Sequence, residues 1–364
     1  MENFSACFSA IDDPRRSNAR HDLHEMLVIA LGAVLCGGED CTDMALFGEA
    51  KEDFLRQFLT LRHGIPSHDT FSRLFRDLDP ARFHAAFQEF MGQFSTGLSE
   101  VIAIDGKMLR RSFDTASAKS PLHLVSAWAS EQRLVLGQIA VDDKSNEITA
   151  VPKLLELLTL KGRIVTLDAM HCQRETAKAI TGAGGDYALA LKGNQGTLHD
   201  DVRLFLDDPK TMPTDSHDTT DGDHGRIETR HHEVVTDIGW LQARHHWPGL
   251  AAIGKVIRTR ESRGKLSCET AYYLLSSPWD AEAFARIIRS HWSIENSLHW
   301  VLDVTMKEDS ARNRIDNGPE NIALIRKWAL NIAKSEGSKG SIKGKLKRAG
   351  WDNAFLAKLL ARTV

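Results

Sequence analysis

Residues Val101–Arg111 read VIAIDGKMLRR, an apolar run that ends in a carboxylate, Asp105, and turns away at Gly106. Such a run fits a strand buried on both faces of a mostly parallel sheet, and these sheets offer the carboxyl ends of their strands to ligands. Residues Gly162–Met170, GRIVTLDAM, repeat the arrangement, with Asp168 closing a second apolar run. A third acid, Glu295, lies in the helical stretch HWSIENSLHW, His291–Trp300. Two-metal phosphoryl transfer needs hard oxygen ligands converging on ions roughly 3.5–4 Å apart, and magnesium prefers carboxylates plus water. Asp105, Asp168 and Glu295 are therefore the candidate catalytic and metal-binding residues.

Around these acids the hydrophobic pattern sets out three regions. Residues 1–98 read as all-helical. Leu23–Leu35 has helical spacing and is stopped by Gly37 and Gly38, and Thr42–Leu59 reads as a second helix. A third starts after Ser67, and a fourth, opened by Asp79-Pro80, carries Phe83, Phe87, Phe90 and Phe94. The pattern turns to strands at Val101–Asp105, Leu122–Ala129 and Leu134–Val141, the last two spaced as a hairpin. Helices at Glu147–Leu160, Arg174–Thr181 and Thr197–Leu206 then alternate with strands at Ile164–Asp168 and Asp186–Leu191. That element order is the one found in ribonuclease H-like domains, one of several α/β options that pattern alone allows.

Asp105 and Asp168 are 63 residues apart, room for a hairpin and a crossover helix, whereas Asp168 and Glu295 are 127 apart. The longer gap calls for an insert. Residues 207–277 supply it, as a polar stretch followed by period-two segments at Ile227–Thr236, Ala251–Thr259 and Leu266–Ser276. The expected fold is α/β, a catalytic region over 99–364 interrupted by an antiparallel, β-rich insert and ending in a basic helical tail.

Composition excludes some classes. With 42% hydrophobic and 26% charged residues, the chain fits an ordinary soluble protein, and no apolar run approaches the roughly 18 residues of a membrane span. No basic-apolar signal pattern opens the chain, and five scattered cysteines form no C-x-x-C pair, so a reducing cytoplasm is expected. His231-His232 and His245-His246 lack partners at zinc-finger spacing. Net charge is −3, yet Gly254–Lys265 holds five bases against Glu261, and Lys334–Arg348 holds six against Glu336. Blocks of this kind bind phosphates locally.

On an α-helix His299 lies one turn beyond Glu295, about 40° round, and Asp303 about 80° round. One flank then presents Glu295, His299 and Asp303, while Ile294, Leu298 and Val301 face the core. His299 reads as an auxiliary or as a satisfied or exposed histidine, and Asp303 as a further metal-side carboxylate or a salt-bridge partner. Lys107, Arg110, Arg111 and Lys192 are candidates to steady phosphates near the acids, with Lys255, Arg258 and Arg260 in the basic insert.

Longer strings carry a family resemblance. DPRR (Asp13–Arg16), HDLHEMLVIALGAVLCGG (His21–Gly38) and GIPSHDTFSRLF (Gly64–Phe75) are followed by AIDGK (Ala103–Lys107), TLDAMHCQ (Thr166–Gln173), DYALALKGNQ (Asp186–Gln195) and HWSIENSLHWVLDVTMKED (His291–Asp309). Together they resemble DDE transposases of bacterial insertion sequences, most closely the H-repeat-associated (ISAs-type) group, over nearly the whole chain. The resemblance implies a ribonuclease H-like catalytic domain behind a helical associated domain. It implies an enzyme that cuts DNA at an element's ends and transfers the strand, with Asp105, Asp168 and Glu295 holding two Mg²⁺ ions (Mn²⁺ as the alternative). It also implies double-stranded DNA with terminal inverted repeats as substrate and a homodimer on paired ends, with no membrane partner.

The broader insertion-sequence signature has Tyr, Arg and Lys where this chain has Ile288, His291 and Leu302. His291 could still touch phosphate, and Lys307 could stand in for the missing base. The alternatives are a catalytically inactive or repurposed DNA-binding relative, or a nuclease of the same fold.

Overall fold

The computed structural model describes residues 8, 11–15, 19–92, 101–113, 120–141, 147–223, 226–262 and 264–361. Arg16, Phe94, Arg263 and the expected boundary at residues 98–99 lie outside them. Among the described residues, no helix is long and apolar enough to cross a membrane.

The N-terminal helices are α1 (Leu23–Leu35), α2 (Cys41–Ala50), α3 (Glu52–Leu55), α4 (His68–Asp77) and α5 (Pro80–Gly92). Asp22 caps α1 by accepting from the Glu25 amide, and the chain leaves that helix through Gly37, whose φ is +91°. The expected single helix over 42–59 is broken at Lys51, whose φ of −117° and ψ of 16° are not helical. Ser67 stands at the start of α4 without capping it, since its hydroxyl meets Thr70 Oγ1 at 3.0 Å instead.

Among the described residues, nine strands form one sheet in the order β3-β2-β1-β4-β5-β9-β8-β7-β6. They are β1 (Val101–Met108), β2 (His123–Ala129), β3 (Leu134–Ala140), β4 (Ile164–Leu167), β5 (Asp186–Leu191), β6 (Asp215–Asp223), β7 (Arg226–Val235), β8 (Ala252–Ser262) and β9 (Lys265–Leu275). β1, β4 and β5 run parallel, and β2 and β3 return as a hairpin beside β1. This order is the ribonuclease H-like arrangement. The strands of the 207–277 stretch form an antiparallel meander that pairs through β9 onto β5, so they prolong the same sheet.

Helices cover both faces. On one, α6 (Glu147–Glu156), α7 (Arg174–Gly182) and α8 (Thr197–Asp207) bury Ile102, Ile104, Val165, Leu167 and Leu189. On the other, α10 (Ala281–His291) lays Phe284, Ile287 and Ile288 over Val101, Ile164 and Ala188; α9 (Gly239–His245) precedes it in the chain. Gly254 of β8 permits this approach, because a Cβ there would collide with the Phe284 ring. α11 (Gly318–Ser335) is buried on nearly every side, as expected of a helix that other helices surround. It joins α1, α4 and α5 to Trp128 and Val135 of the sheet in one apolar cluster. α12 (Ile342–Trp351) and α13 (Asn353–Ala361) complete that cluster, so the core under the N-terminal helices is closed by the far end of the chain.

Candidate active site

The two aspartates meet because two short strands run side by side. Ile104 of β1 pairs in register with Leu167 of β4, and Asp105 and Asp168 each follow directly, at the carboxyl ends of parallel neighbours. Asp168 caps the short 3₁₀ turn Ala169–His171 through its Oδ1, which accepts from the His171 amide at 3.3 Å.

Glu295 arrives on a segment that departs from the expected helix over 280–304. After α10 the chain enters two π-helical turns, Glu295–His299 and Val301–Thr305. The Trp300 amide donates to Glu295 O and the Met306 amide to Val301 O at 3.1 Å, both i→i+5 bonds. This winding is looser than the 3.6 residues per turn of an α-helix, so residues four apart stack nearly in line rather than drifting 40°. Ile294, Leu298, Leu302 and Met306 all point into the core, and Glu295 and His299 stack together on another flank.

One carboxylate oxygen each from Asp105 and Glu295 and one ring nitrogen of His299 lie within 4.8 Å of one another. His299 Nδ1 is 3.4 Å from Asp105 Oδ2 and 3.5 Å from Glu295 Oε2. Burial raises the Asp105 pKa, and hydrogen bonding and charge from Glu295, with the Asp168 charge, raise it further. Glu295 is held below its usual range, chiefly by His299 and then by its bond to Asp105. The two carboxyls are thus pushed in opposite directions, Asp105 up by burial and by its neighbouring acids, Glu295 down by His299. A divalent cation would offset the repulsion between these neighbouring acids. Two carboxylates and an imidazole that turns its Nδ1 toward both suit such an ion.

Asp168 is braced from behind. His171 Nε2 lies 3.8 Å from Asp168 Oδ1 and 3.3 Å from Glu147 Oε2, and Glu147 Oε1 is 2.5 Å from His123 Nδ1. Its contact with His171, and secondarily its hydrogen bond to His123, holds the Glu147 carboxyl below its ordinary value. Glu147 also rests against the backbone just after Asp105. A Cβ on Gly106 would strike that carboxylate, so any other residue there requires Glu147 to move.

Asp105, Asp168 and Glu295 open into a cleft of about 860 Å³ that runs toward the inner face of β6–β9 and is also lined by Lys192, Arg230, Arg258, Arg286 and Arg289. Of the expected phosphate ligands, Lys192 and Arg258 line it. Lys192 is exposed, while Arg258 is paired with Glu269 and lies 5.9 Å over the Trp292 ring. His291 lines it as well, but its Nδ1 is 3.0 Å from Thr166 Oγ1 and burial lowers its pKa, so near neutral pH it brings no charge.

The other expected phosphate ligands are turned to other uses. Lys255 points to the opposite face, donating to Leu206 O at 2.9 Å and pairing with Asp207 at 3.2 Å. Arg260 pairs with the buried Glu228 at 3.1 Å. Lys107 Nζ is taken up by Asp303, by Glu308 at 2.7 Å and by Asp309 at 3.8 Å. Arg110 leans on Asp309 at 3.4 Å, and Arg111 is exposed. Of the two readings open to Asp303, metal-side carboxylate or salt-bridge partner, the structure has the second, with Lys107. Ile288 and Leu302 are core residues, and Lys307 sits in a left-handed turn with φ +55°.

Arg230, Arg286, Arg289, Glu147 and His171 were not singled out from sequence. Arg286 and Arg289 lie one helical turn apart, flanking the buried Ile287 and Ile288, and strand alternation puts Arg230 on the face of His232, so both placements were available from periodicity. The Glu147–His171 contact joins a helix to a distant turn, which no local pattern shows.

Comparison with known proteins bears on this arrangement. Residues 5–91 match the family described as DDE_Tnp_1-associated, and residues 96–332 match the family described as Transposase DDE domain. The H repeat-associated putative transposase YhhI of Escherichia coli strain K12 is 38% identical over 97% of this chain and 96% of its own. An uncharacterized protein of the dhlA 3′ region in Xanthobacter autotrophicus is 47% identical over 77% of this chain and 96% of its own. The cryo-EM structure of a piggyBac transposase synaptic complex with hairpin DNA covers 98% of this chain and 80% of that one at 12% identity and TM-score 0.48, a remote likeness only.

Proposed function

Because the chain belongs to the DDE transposase family, we propose that it cuts and joins DNA by two-metal phosphoryl transfer at Asp105, Asp168 and Glu295. The observation that carries the reading is the convergence of Asp105, Glu295 and His299 within 4.8 Å, with Asp168 on the adjoining strand. Divalent metal dependence is the family's; the ion proposed is Mg²⁺, with Mn²⁺ as the alternative. Two such ions, when bound, supply positive charge where phosphodiester oxygens gain negative charge.

The remaining tasks fall to the chain. Asp105 and Glu295 present carboxylate oxygens, while the His171–Glu147 brace keeps Asp168 aimed at the same place. Lys192 and Arg258 neutralise phosphates of the strand lying in the cleft, without reading its sequence. Held in this way, a 3′-hydroxyl freed at one end stays aligned for in-line attack on a second duplex. The substrate proposed is double-stranded DNA bearing the element's terminal inverted repeats, engaged by a homodimer that pairs two ends.

The test uses the full-length protein, Mg²⁺ and duplexes carrying those ends. Nicking at the end and joining of the 3′ strand to a second duplex are expected. Asp105→Ala should slow both by about a thousandfold, ~4 kcal/mol of barrier. Full-rate cutting by that variant would sink the site. Cutting without joining by the unsubstituted protein would make it a nuclease, and no nicking at all would sink the enzymatic reading.

A further inference from the structure

Lys107 belongs to the strand that carries Asp105, two residues on and on the same face, yet its ammonium does not line the cleft. Its side chain is 11% exposed and donates to Asp303 and to Glu308, the latter at 2.7 Å, with Asp309 at 3.8 Å. Glu308 is 2% exposed and belongs to the tight turn that follows the second π-helical turn. Arg110 grips the same turn through Asp309 at 3.4 Å. β1 and the π-helical segment are therefore joined by two rungs. The upper is Asp105 with Glu295 and His299, and the lower is Lys107 with Asp303 and Glu308.

We propose that Lys107 is a positioning residue, whose grip on Asp303 and Glu308 holds the Glu295 segment against β1 and sets the spacing of Asp105 and Glu295. The inference rests on the metal reading given above. π-helical turns are rare and appear mostly as single turns, and unfavourable backbone persists only where its surroundings over-determine it. Hydrogen bonds between ionised partners are strong enough to do this, and a buried carboxylate stripped of its cation is costly. Without the lower rung the segment is free to tighten toward α winding. Each four-residue step then rotates by about 40°, and Glu295 and His299 turn away from Asp105.

The experiment compares unsubstituted protein, Lys107→Ala, Lys107→Arg and Asp303→Asn, all full length. Mn²⁺ affinity is read by electron paramagnetic resonance without DNA. Hydrogen exchange is followed over residues 295–306, and DNA affinity is read by fluorescence anisotropy in Ca²⁺. Lys107→Ala and Asp303→Asn should each weaken Mn²⁺ binding at least tenfold and speed exchange over 295–306, leaving DNA affinity within twofold. Lys107→Arg should recover Mn²⁺ affinity to within about threefold. A tenfold loss of DNA affinity in Lys107→Ala, with Mn²⁺ affinity and exchange unchanged, would make Lys107 a phosphate ligand and overturn the proposal. If Lys107→Ala does not fold, Asp303→Asn decides, since it removes one arm of the lower rung and no cation; unchanged exchange there overturns the proposal. Failure of the unsubstituted protein to bind Mn²⁺ is a separate result that sinks the metal reading, and exchange in Asp303→Asn then judges the clamp by itself.

Discussion

The two aspartates and the glutamate reach the same place by different means. Asp105 and Asp168 are set by backbone: β1 and β4 pair in parallel register, and the acids lie where the ladder ends. Glu295 is set by side chains, on π-helical turns pinned to β1 by Lys107 and to the core by Ile294, Leu298 and Leu302. A ladder of peptide hydrogen bonds tolerates most surface substitutions, whereas a joint of ion pairs fails when one member is lost. The site is thus rigid on one side and conditional on the other.

That contrast breaks first if the backbone side proves soft. Gly106→Ala drives a methyl into the Glu147 carboxylate, which two histidines keep from retreating. A displacement near 1 Å costs about a hundredfold, ~2.7 kcal/mol, so strand cleavage under saturating Mg²⁺ should fall by that much. Activity near the unsubstituted level would mean that β1 absorbs the strain and that its geometry is not set by register alone.

A side-chain joint elsewhere offers a second comparison. Buried His84 on α5 accepts the Gln138 amide of β3 at 3.0 Å, and burial, helped by the Lys327 charge, lowers its pKa to about 4. The folded value lies below the unfolded one of about 6.5, so the stability from neutral His84 is complete above pH 6.5 and is lost as pH falls toward 4. Between pH 7 and pH 5 the loss should be about 2 kcal/mol. Chemical denaturation at the two pH values should show it, with the drop smaller by that amount in His84→Gln, which keeps an acceptor but does not titrate. Equal acid sensitivity in the two proteins would remove His84 from the account. The smallest effect sharpens the conditional side: His299→Ala should weaken Mn²⁺ binding about tenfold, ~1.4 kcal/mol, measured by calorimetry.

What could be read in advance follows the same division. AIDGK and TLDAM gave up their strands and acids because apolar run, carboxylate and turn are all local. DSHDTTDGD (Asp215–Asp223) was read as a polar stretch, but it is β6, the outermost strand, which needs only one partner and carries the charges that discourage another. The π-helical turns were taken for an α-helix although the segment shows a strict four-residue repeat, Ile294, Leu298, Leu302, Met306, with Glu295, His299 and Asp303 beside it. A period of four is a poor fit to 3.6, and that mismatch was the available signal. Lys107 and Arg110 read as phosphate ligands, and Asp303 stays open between metal and ion pair, because charge is visible in a sequence and pairing is not.

The meander on β5 has a further consequence. β9 supplies hydrogen-bond partners to Ala188–Leu191, and its own 11 residues reach about 36 Å from one end to the other. β5 would otherwise be the open margin of a buried parallel sheet, and such margins recruit strands from other molecules. An excision of residues 207–277 would therefore do more than shorten the cleft. It would uncover a sticky seam beside the two aspartates, and aggregation rather than a smaller working enzyme is the outcome to expect. The insert is a wall of the cleft and also the cover for the margin of the sheet that carries the two aspartates.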